Sequence, residues 1–174
     1  MARTKRPQKL ASEELFGYAV KSLTARAYSV AALSAKLRQR AARLADIDLI
    51  IARLQDAGYL DDRRFAESFA ANRVANDGFG RVRILTDLAS HRVPRELAQS
   101  AVEKALEGMS EAEQIEAFIE RRMGSAELTD EKKLASAFRK LRRAGFAAGP
   151  ILNALKRRAK SSELVEDDFP IEDE

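Results

Sequence analysis

The chain has 174 residues, 45% of them hydrophobic. That is enough to bury a core, and Ala, Leu, Arg, Glu and Lys dominate over Gly and Pro, a balance that favours helix. It has no cysteine and no apolar run near 18 residues, which excludes disulfide frameworks, thiolate chemistry, Cys-ligated zinc and iron–sulfur sites, and gives no membrane-spanning helix. The net charge of +4 hides a segregation: residues 1–160 carry +11, and residues 161–174 carry seven acids and no base. A basic body suits a polyanionic partner, DNA or an acidic protein surface.

Taken in chain order, residues 1–11 form a basic arm with Arg3, Lys5, Arg6 and Lys9. No apolar stretch follows it, so a secretory signal is not expected and a cytoplasmic protein is. Helices are predicted near 12–27, 30–41 and 46–57, then 62–76, 81–91 and 94–107, then 111–123, 130–144 and 147–159. They group into three-helix units at 12–57, 58–108 and 109–160. Leu33/Leu37, Ile84/Leu88 and Leu134/Phe138 each place an apolar pair on one helix face at i, i+4. Ser12, Ser29, Asp46, Asp61, Ser110 and Thr129 are expected N-caps, because a side-chain oxygen can satisfy a free amide of the first turn. Ser110 with Glu113 fits a capping box. Pro94 suits a helix start. Gly58, Gly78, Gly108, Gly124 and Gly145 fall at predicted helix ends, where a left-handed residue is needed. Residues 161–174 read as a disordered acidic tail, whose acids suit an intramolecular mimic of DNA.

The units are in register. Tyr28-Ser29, Leu33, Leu37, Ile50, Ile51 and Leu54 recur 51 residues later as Phe79-Gly80, Ile84, Leu88, Ala101, Val102 and Ala105. A further 50 residues bring Thr129, Leu134, Phe138, Ile151, Leu152 and Leu155. A single three-helix unit is marginal, and stacked units share buried surface. The expected fold is all-α: three tandem three-helix, helix-turn-helix-like repeats in an elongated, curved array.

Chemistry is sparse. The single histidine, His91, sits at a predicted helix end, where a surface charge partner is ordinary. The acid pairs Glu13-Glu14, Asp61-Asp62 and Asp167-Asp168 lie at helix starts or in the tail. No phosphate-binding glycine loop ending in Lys-Ser/Thr is present, and Gly78-Phe79-Gly80 reads as a tight helix–helix turn. Tyr28 and Phe79 read as core plugs at one repeat position. A non-enzymatic protein without cofactor or metal is expected. The better functional candidates are bases: Lys36, Arg38 and Arg40 in the first unit, Arg81 and Arg83 in the second, and Lys132, Lys133, Arg139, Lys140, Arg142, Arg143, Lys156, Arg157 and Arg158 in the third. Such groups contact phosphates and carboxylates alike.

The segment Gly58-Tyr59-Leu60-Asp61-Asp62-Arg63-Arg64-Phe65-Ala66-Glu67-Ser68-Phe69, followed by Arg73 and by Gly78-Phe79-Gly80-Arg81-Val82-Arg83-Ile84, resembles the signature of the RecX family of bacterial recombinase regulators. Tyr28-Ser29 with Leu33, Lys36, Leu37 and Arg40 also resembles that family. The likeness runs over residues 12–159, and the third unit departs from the pattern at Leu128-Thr129-Asp130. The resemblance implies tandem three-helix repeats and a partner, the RecA filament on single-stranded DNA. It implies inhibition or modulation of recombinase activity, DNA repair and the SOS response. The expected RecA- or DNA-binding residues are Lys36, Arg40, Arg64, Arg73, Arg81, Arg83, Arg139, Arg142 and Arg143. Single-stranded DNA would be met through the filament, with weak direct DNA binding in addition, and a monomer is expected. The alternative is a helix-turn-helix protein acting on duplex DNA. It is weakened by the apolar run Ile47-Asp48-Leu49-Ile50-Ile51, where a reader would offer Arg, Asn or Gln.

Overall fold

The computed structural model describes residues 9–123 and 131–158. The outer part of the basic arm, the Thr129 cap, Gly124 and the acidic tail lie outside the described residues. Among the described residues there are nine α-helices and no strand: α1 (Ser12–Ala25), α2 (Val30–Arg38), α3 (Ala45–Asp56), α4 (Asp62–Asn72), α5 (Arg81–Ser90), α6 (Arg95–Ala105), α7 (Glu111–Met123), α8 (Glu131–Arg143) and α9 (Ala148–Arg158). All nine fall at their predicted places. The chain divides into two compact units, residues up to Phe69 with Asp87–Ala101, and Ala70–Thr86 with residues from Val102 onward.

The first unit is built on Leu15 and Ala19 of α1, Leu33 and Leu37 of α2, and Ile47, Ile50, Ile51 and Leu54 of α3, with Tyr28 and Leu60 closing the core. Fully burying a leucine or isoleucine contributes about 1.5–3 kcal/mol, so these spacings decide which faces turn inward. Ser29 caps α2 by accepting from the Ala32 amide at 3.1 Å. Asp61 caps α4 by accepting from the Arg64 amide at 3.0 Å. Two expected caps moved. Helix α1 starts one residue earlier in its capping, with Glu14 accepting from the Ala11 amide at 3.2 Å, because alanine has no oxygen and the glutamate at the third position reaches back instead. Helix α3 begins at Ala45 after Leu44, without a side-chain cap; Asp46 is buried inside its first turn and faces Arg43 at 3.7 Å.

The second unit centres on Ile115, Phe118 and Ile119 of α7, Leu134, Ala137 and Leu141 of α8, and Ile151, Ala154 and Leu155 of α9, with Phe146 fully enclosed. Phe138, predicted to pair with Leu134, is only partly buried, and Ala137 and Leu141 take the inward positions. Ser110 and Glu113 form the predicted capping box: the Ser110 amide donates to Glu113 at 2.8 Å and the Glu113 amide to Ser110 Oγ at 3.2 Å. A π-helical turn, Arg73–Asp77, follows α4 and ends at Gly78, which has φ 67°. Such turns place an extra residue in the helix wall.

Helix ends meet helix starts at corresponding points. The Ser29 hydroxyl, at the start of α2, donates to the carbonyl of His91 just past the end of α5. The Gly80 amide, at the start of α5, donates to the carbonyl of Ala144 just past the end of α8 at 2.8 Å. The Val82 amide joins it at Gly145 O, 3.3 Å. Both carbonyls precede a left-handed residue, Arg92 at φ 57° and Gly145 at φ 93°. The next amide in each case folds back on the helix, Val93 to Leu88 and Phe146 to Leu141. A donor at the start of one helix thus satisfies a carbonyl just past the end of another, and opposite ends of the two helix dipoles meet. At the end of α2 the corresponding carbonyl, Arg40, accepts from the Leu10 amide at 2.7 Å, and Leu10 accepts in turn from Ala42 at 2.9 Å. The inner end of the basic arm is therefore strapped to the first unit.

A Cβ on Gly145 would overlap the backbone of Arg83, whereas one on Gly58 would meet nothing within 4 Å although its φ is 71°. Gly58→Ala therefore carries only the left-handed penalty, of order 1–3 kcal/mol. Gly145→Ala adds a steric clash at the joint. Chemical denaturation is expected to show Gly145→Ala losing clearly more stability than Gly58→Ala; equal losses would mean that the backbone approach is not tight.

Candidate binding surface

The bases singled out in the sequence fall into separate groups. Lys36 and Arg40 stand one turn apart at the end of α2, over the same ring. Their charges lie 5.4 and 5.2 Å from the centroid of Tyr18 on α1. Lys36 also donates to the Tyr28 hydroxyl at 3.1 Å. That hydrogen bond holds the Lys36 ammonium above its usual pKa, outweighing its partial burial. Burial disfavours the phenolate of Tyr28, but hydrogen bonding and charge from Lys36 and Arg26 prevail and draw its pKa down. Tyr28 is thus both the expected core plug and a partner for cations. Arg64, on α4, donates back to the carbonyl of Gly58 and so locks the α3–α4 turn. It lines a cleft of about 250 Å³ beside Tyr28, Tyr59 and Phe65.

In the second unit Arg73 and Arg83 flank Phe79, with charges 5.7 and 5.3 Å from the ring centroid. Arg73 pairs with Asp77 at 2.8 Å. Arg81 faces Glu103 of α6 at 3.5 Å across a groove of about 400 Å³ that also includes Val82, Met109 and Gly145. An exposed pair of this kind contributes well under 1 kcal/mol, so Arg81 remains available to a stronger anion. On α8, Arg142 donates to the Phe146 carbonyl at 2.9 Å, in the turn that follows its own helix. Lys140 donates to the Arg122 carbonyl at 3.3 Å. Arg139 and Arg143, one turn apart, are exposed and have no partner among the described residues. Arg157 and Arg158 on α9 are held by Glu116 of α7, and Arg158 also reaches Glu120.

Sequence reasoning missed several members. Arg122 on α7 pairs with Asp77 at 3.3 Å, and Arg121 donates to the Ala75 carbonyl at 2.7 Å, so α7 clamps the π-helical turn. The partners lie about 45 residues apart, and no local pattern announces them. Arg26 lies 4.4 Å from the Tyr28 centroid; the repeat register, which puts Asp77 at its place in the second unit, could have drawn attention to it. His91 meets aromatic edges rather than an acid: its ring lies 5.4 Å from Phe65 and 5.1 Å from Phe69.

The family model described as RecX, second three-helix domain, matches residues 61–102, the stretch from the Asp61 cap through most of α6. The regulatory protein RecX of Trichlorobacter lovleyi is 31% identical over 149 residues, covering 84% of this chain and 88% of the relative. The chain belongs to the RecX family of regulatory proteins. Its RecX relative in Xanthomonas axonopodis pv. citri is 36% identical over 106 residues, covering 61% of this chain and 64% of that protein. The crystal structure of RecX from Lactobacillus salivarius superposes with a TM-score of 0.65 at 17% identity, covering 84% of this chain and 95% of that one. A second RecX crystal structure gives 0.62 at 16% identity. These two show the all-α repeat fold. Among the described residues no helix is long and apolar enough to cross a membrane.

Two ionised caps contribute to the scaffold. Hydrogen bonds from the backbone of Arg64 hold the Asp61 carboxyl below its usual pKa, and those from Ser110 do the same for Glu113. A depressed carboxylate stabilises the fold above its unfolded pKa, about 4, and that stability is lost as pH falls through the folded value. Acid denaturation should therefore begin below about pH 4, with Asp61→Asn and Glu113→Gln flattening the curve there. Unchanged acid sensitivity in both variants would show that these caps are not what titrates.

Proposed function

We propose that this protein binds the RecA filament on single-stranded DNA and restrains recombinase activity, and through it strand exchange, filament-dependent ATP hydrolysis, DNA repair and the SOS response. Membership of the RecX family, at 31% identity over most of both chains, is the observation that carries this reading. Three helical repeats, at 12–57, 58–108 and 109–160, would present the contacts. The exposed arginines of α8 suit an acidic protein surface or a phosphate backbone, since guanidinium pairs well with either. The protein acts in the cytoplasm as a monomer and has no catalytic step of its own. The duplex-reading alternative finds no support in α3, whose Ile47, Ile50, Ile51 and Leu54 face the core.

The test is addition of the protein to RecA filaments preformed on single-stranded DNA, followed by RecA ATP hydrolysis. Inhibition at substoichiometric protein is expected. No effect, together with tight binding to one duplex sequence, would sink the proposal. Reversing Arg139 and Arg143 to Glu is expected to weaken filament binding at least tenfold, about 1.4 kcal/mol. Reversing Arg81 and Arg83 reports on the other candidate face, and whichever pair leaves binding unchanged is not at the interface.

A further inference from the structure

The acidic tail is a sequence feature that the filament reading leaves unused, and it is not uniformly acidic. Its seven acids flank two apolar groups, Leu164-Val165 and Phe169-Pro170-Ile171. A segment acting by charge alone would need neither. The residue before a proline favours extended backbone, where side chains two apart share a side. Phe169 and Ile171 would thus present one apolar edge, bordered by Asp167, Asp168, Glu172 and Asp173.

The second unit has a surface that matches this pattern. A groove of about 340 Å³ runs between the π-helical turn and α7, walled by Val74, Phe79, Met109, Ala117 and Phe118. Met109 stands exposed on it. The one charged side chain lining it, among the described residues, is Arg121, whose partner is the neutral carbonyl of Ala75. The charge of Arg121 therefore meets no carboxylate among the described residues. The groove at Arg81 carries Glu103 and Glu111, and the cleft beside Tyr28 carries Asp61, so each offers an acidic segment a like charge.

Helix α9 delivers the tail to this wall. Arg158, its last residue, is bound by Glu116 and Glu120 of α7, and Ala117 and Arg121 directly follow those two acids on the same helix. Ten residues, 159–168, separate Arg158 from Phe169. Ten extended residues span at most about 33 Å, against about 20 Å for the whole of α7. A contact too weak to hold a separate molecule suffices for a tethered one, whose effective concentration is about millimolar.

We propose that the groove beside the π-helical turn is the dock of the chain's own acidic tail, with Phe169 and Ile171 seated against Phe79, Met109 and Phe118 and the flanking acids at Arg121. Apolar contact holds the tail and charge orients it, which sets this dock apart from a tail that lies along bases in place of DNA. It goes beyond the filament reading and does not rest on it. A partner that needs this face of the second unit must first displace the tail.

The chain has no tryptophan, so Phe169→Trp in the full chain gives a single reporter. Its emission is expected to lie to the blue of a solvated indole, with reduced quenching by acrylamide. Adding Ala117→Glu, which puts a carboxylate at an exposed position of the groove wall and keeps a good helix former, should return the emission to the solvated value. Thermal melting checks that the fold survives. At about 1 M salt, where the screening length is about 3 Å, the reporter should stay buried. In the unsubstituted chain, nuclear Overhauser contacts are expected between the Met109 methyl and the Phe169 ring. Solvated emission together with no such contact would overturn the proposal. Buried emission that Ala117→Glu leaves unchanged would place the tail elsewhere, and burial lost in high salt would make charge its only hold; both results overturn the dock. Burial that grows with protein concentration would assign the groove to the tail of a second copy and overturn the tethered arrangement.

Discussion

The joints between successive middle helices rest on one recurring interaction, in which a donor at the start of one helix meets a carbonyl just past the end of another. The Ser29 hydroxyl reaches the carbonyl of His91, and the Gly80 amide reaches that of Ala144. Helix ends are where backbone groups lack intrahelical partners, and a buried orphan costs about as much as a lost hydrogen bond. Joining the two kinds of end removes both deficits and sets opposite partial charges side by side. At the end of α2, Leu10 takes the donor's place at Arg40.

This constraint explains why residues that look unremarkable in the sequence are fixed. Gly145 is a glycine because its positive φ and the backbone of Arg83 leave no space for a side chain. Gly80 is a glycine because a Cβ there would lie 2.7 Å from both the Gly145 carbonyl and the Phe146 ring. It also separates the bases by role. Arg142 holds the turn after α8, and Arg64 locks the turn before α4. Arg157 and Arg158 tie α9 to α7. Arg139 and Arg143 are exposed and held by no partner among the described residues.

Much of the architecture was legible because its signals are local. Periodic pairs such as Leu33/Leu37 and Ile84/Leu88 located the helices, and Ser29, Asp61 and the Ser110–Glu113 box marked their starts. The caps that moved show the limit of that logic. Asp46 has the right residue type one step inside the helix, and its surroundings bury it instead. The binding surface was less legible. Counting bases located α8, but only three-dimensional proximity distinguishes an arginine held by a carbonyl from one left exposed. The pairing of Arg122 with Asp77 and the packing of His91 against Phe65 and Phe69 join elements far apart in sequence, so no spacing rule reaches them. The repeat register gave the one long-range clue, since it aligns Arg26 with Asp77.

Amide hydrogen exchange at the joints tests the central claim most directly. Gly80 and Val82 lie at the start of a helix, where amides ordinarily exchange fast for want of an intrahelical acceptor. If the helix ends are joined, both amides should be protected and exchange with the slow amides of the second unit's core, and Leu10 should be protected well above its neighbours in the arm. Exchange of Gly80 and Val82 at the rate of solvent-exposed amides would contradict the account.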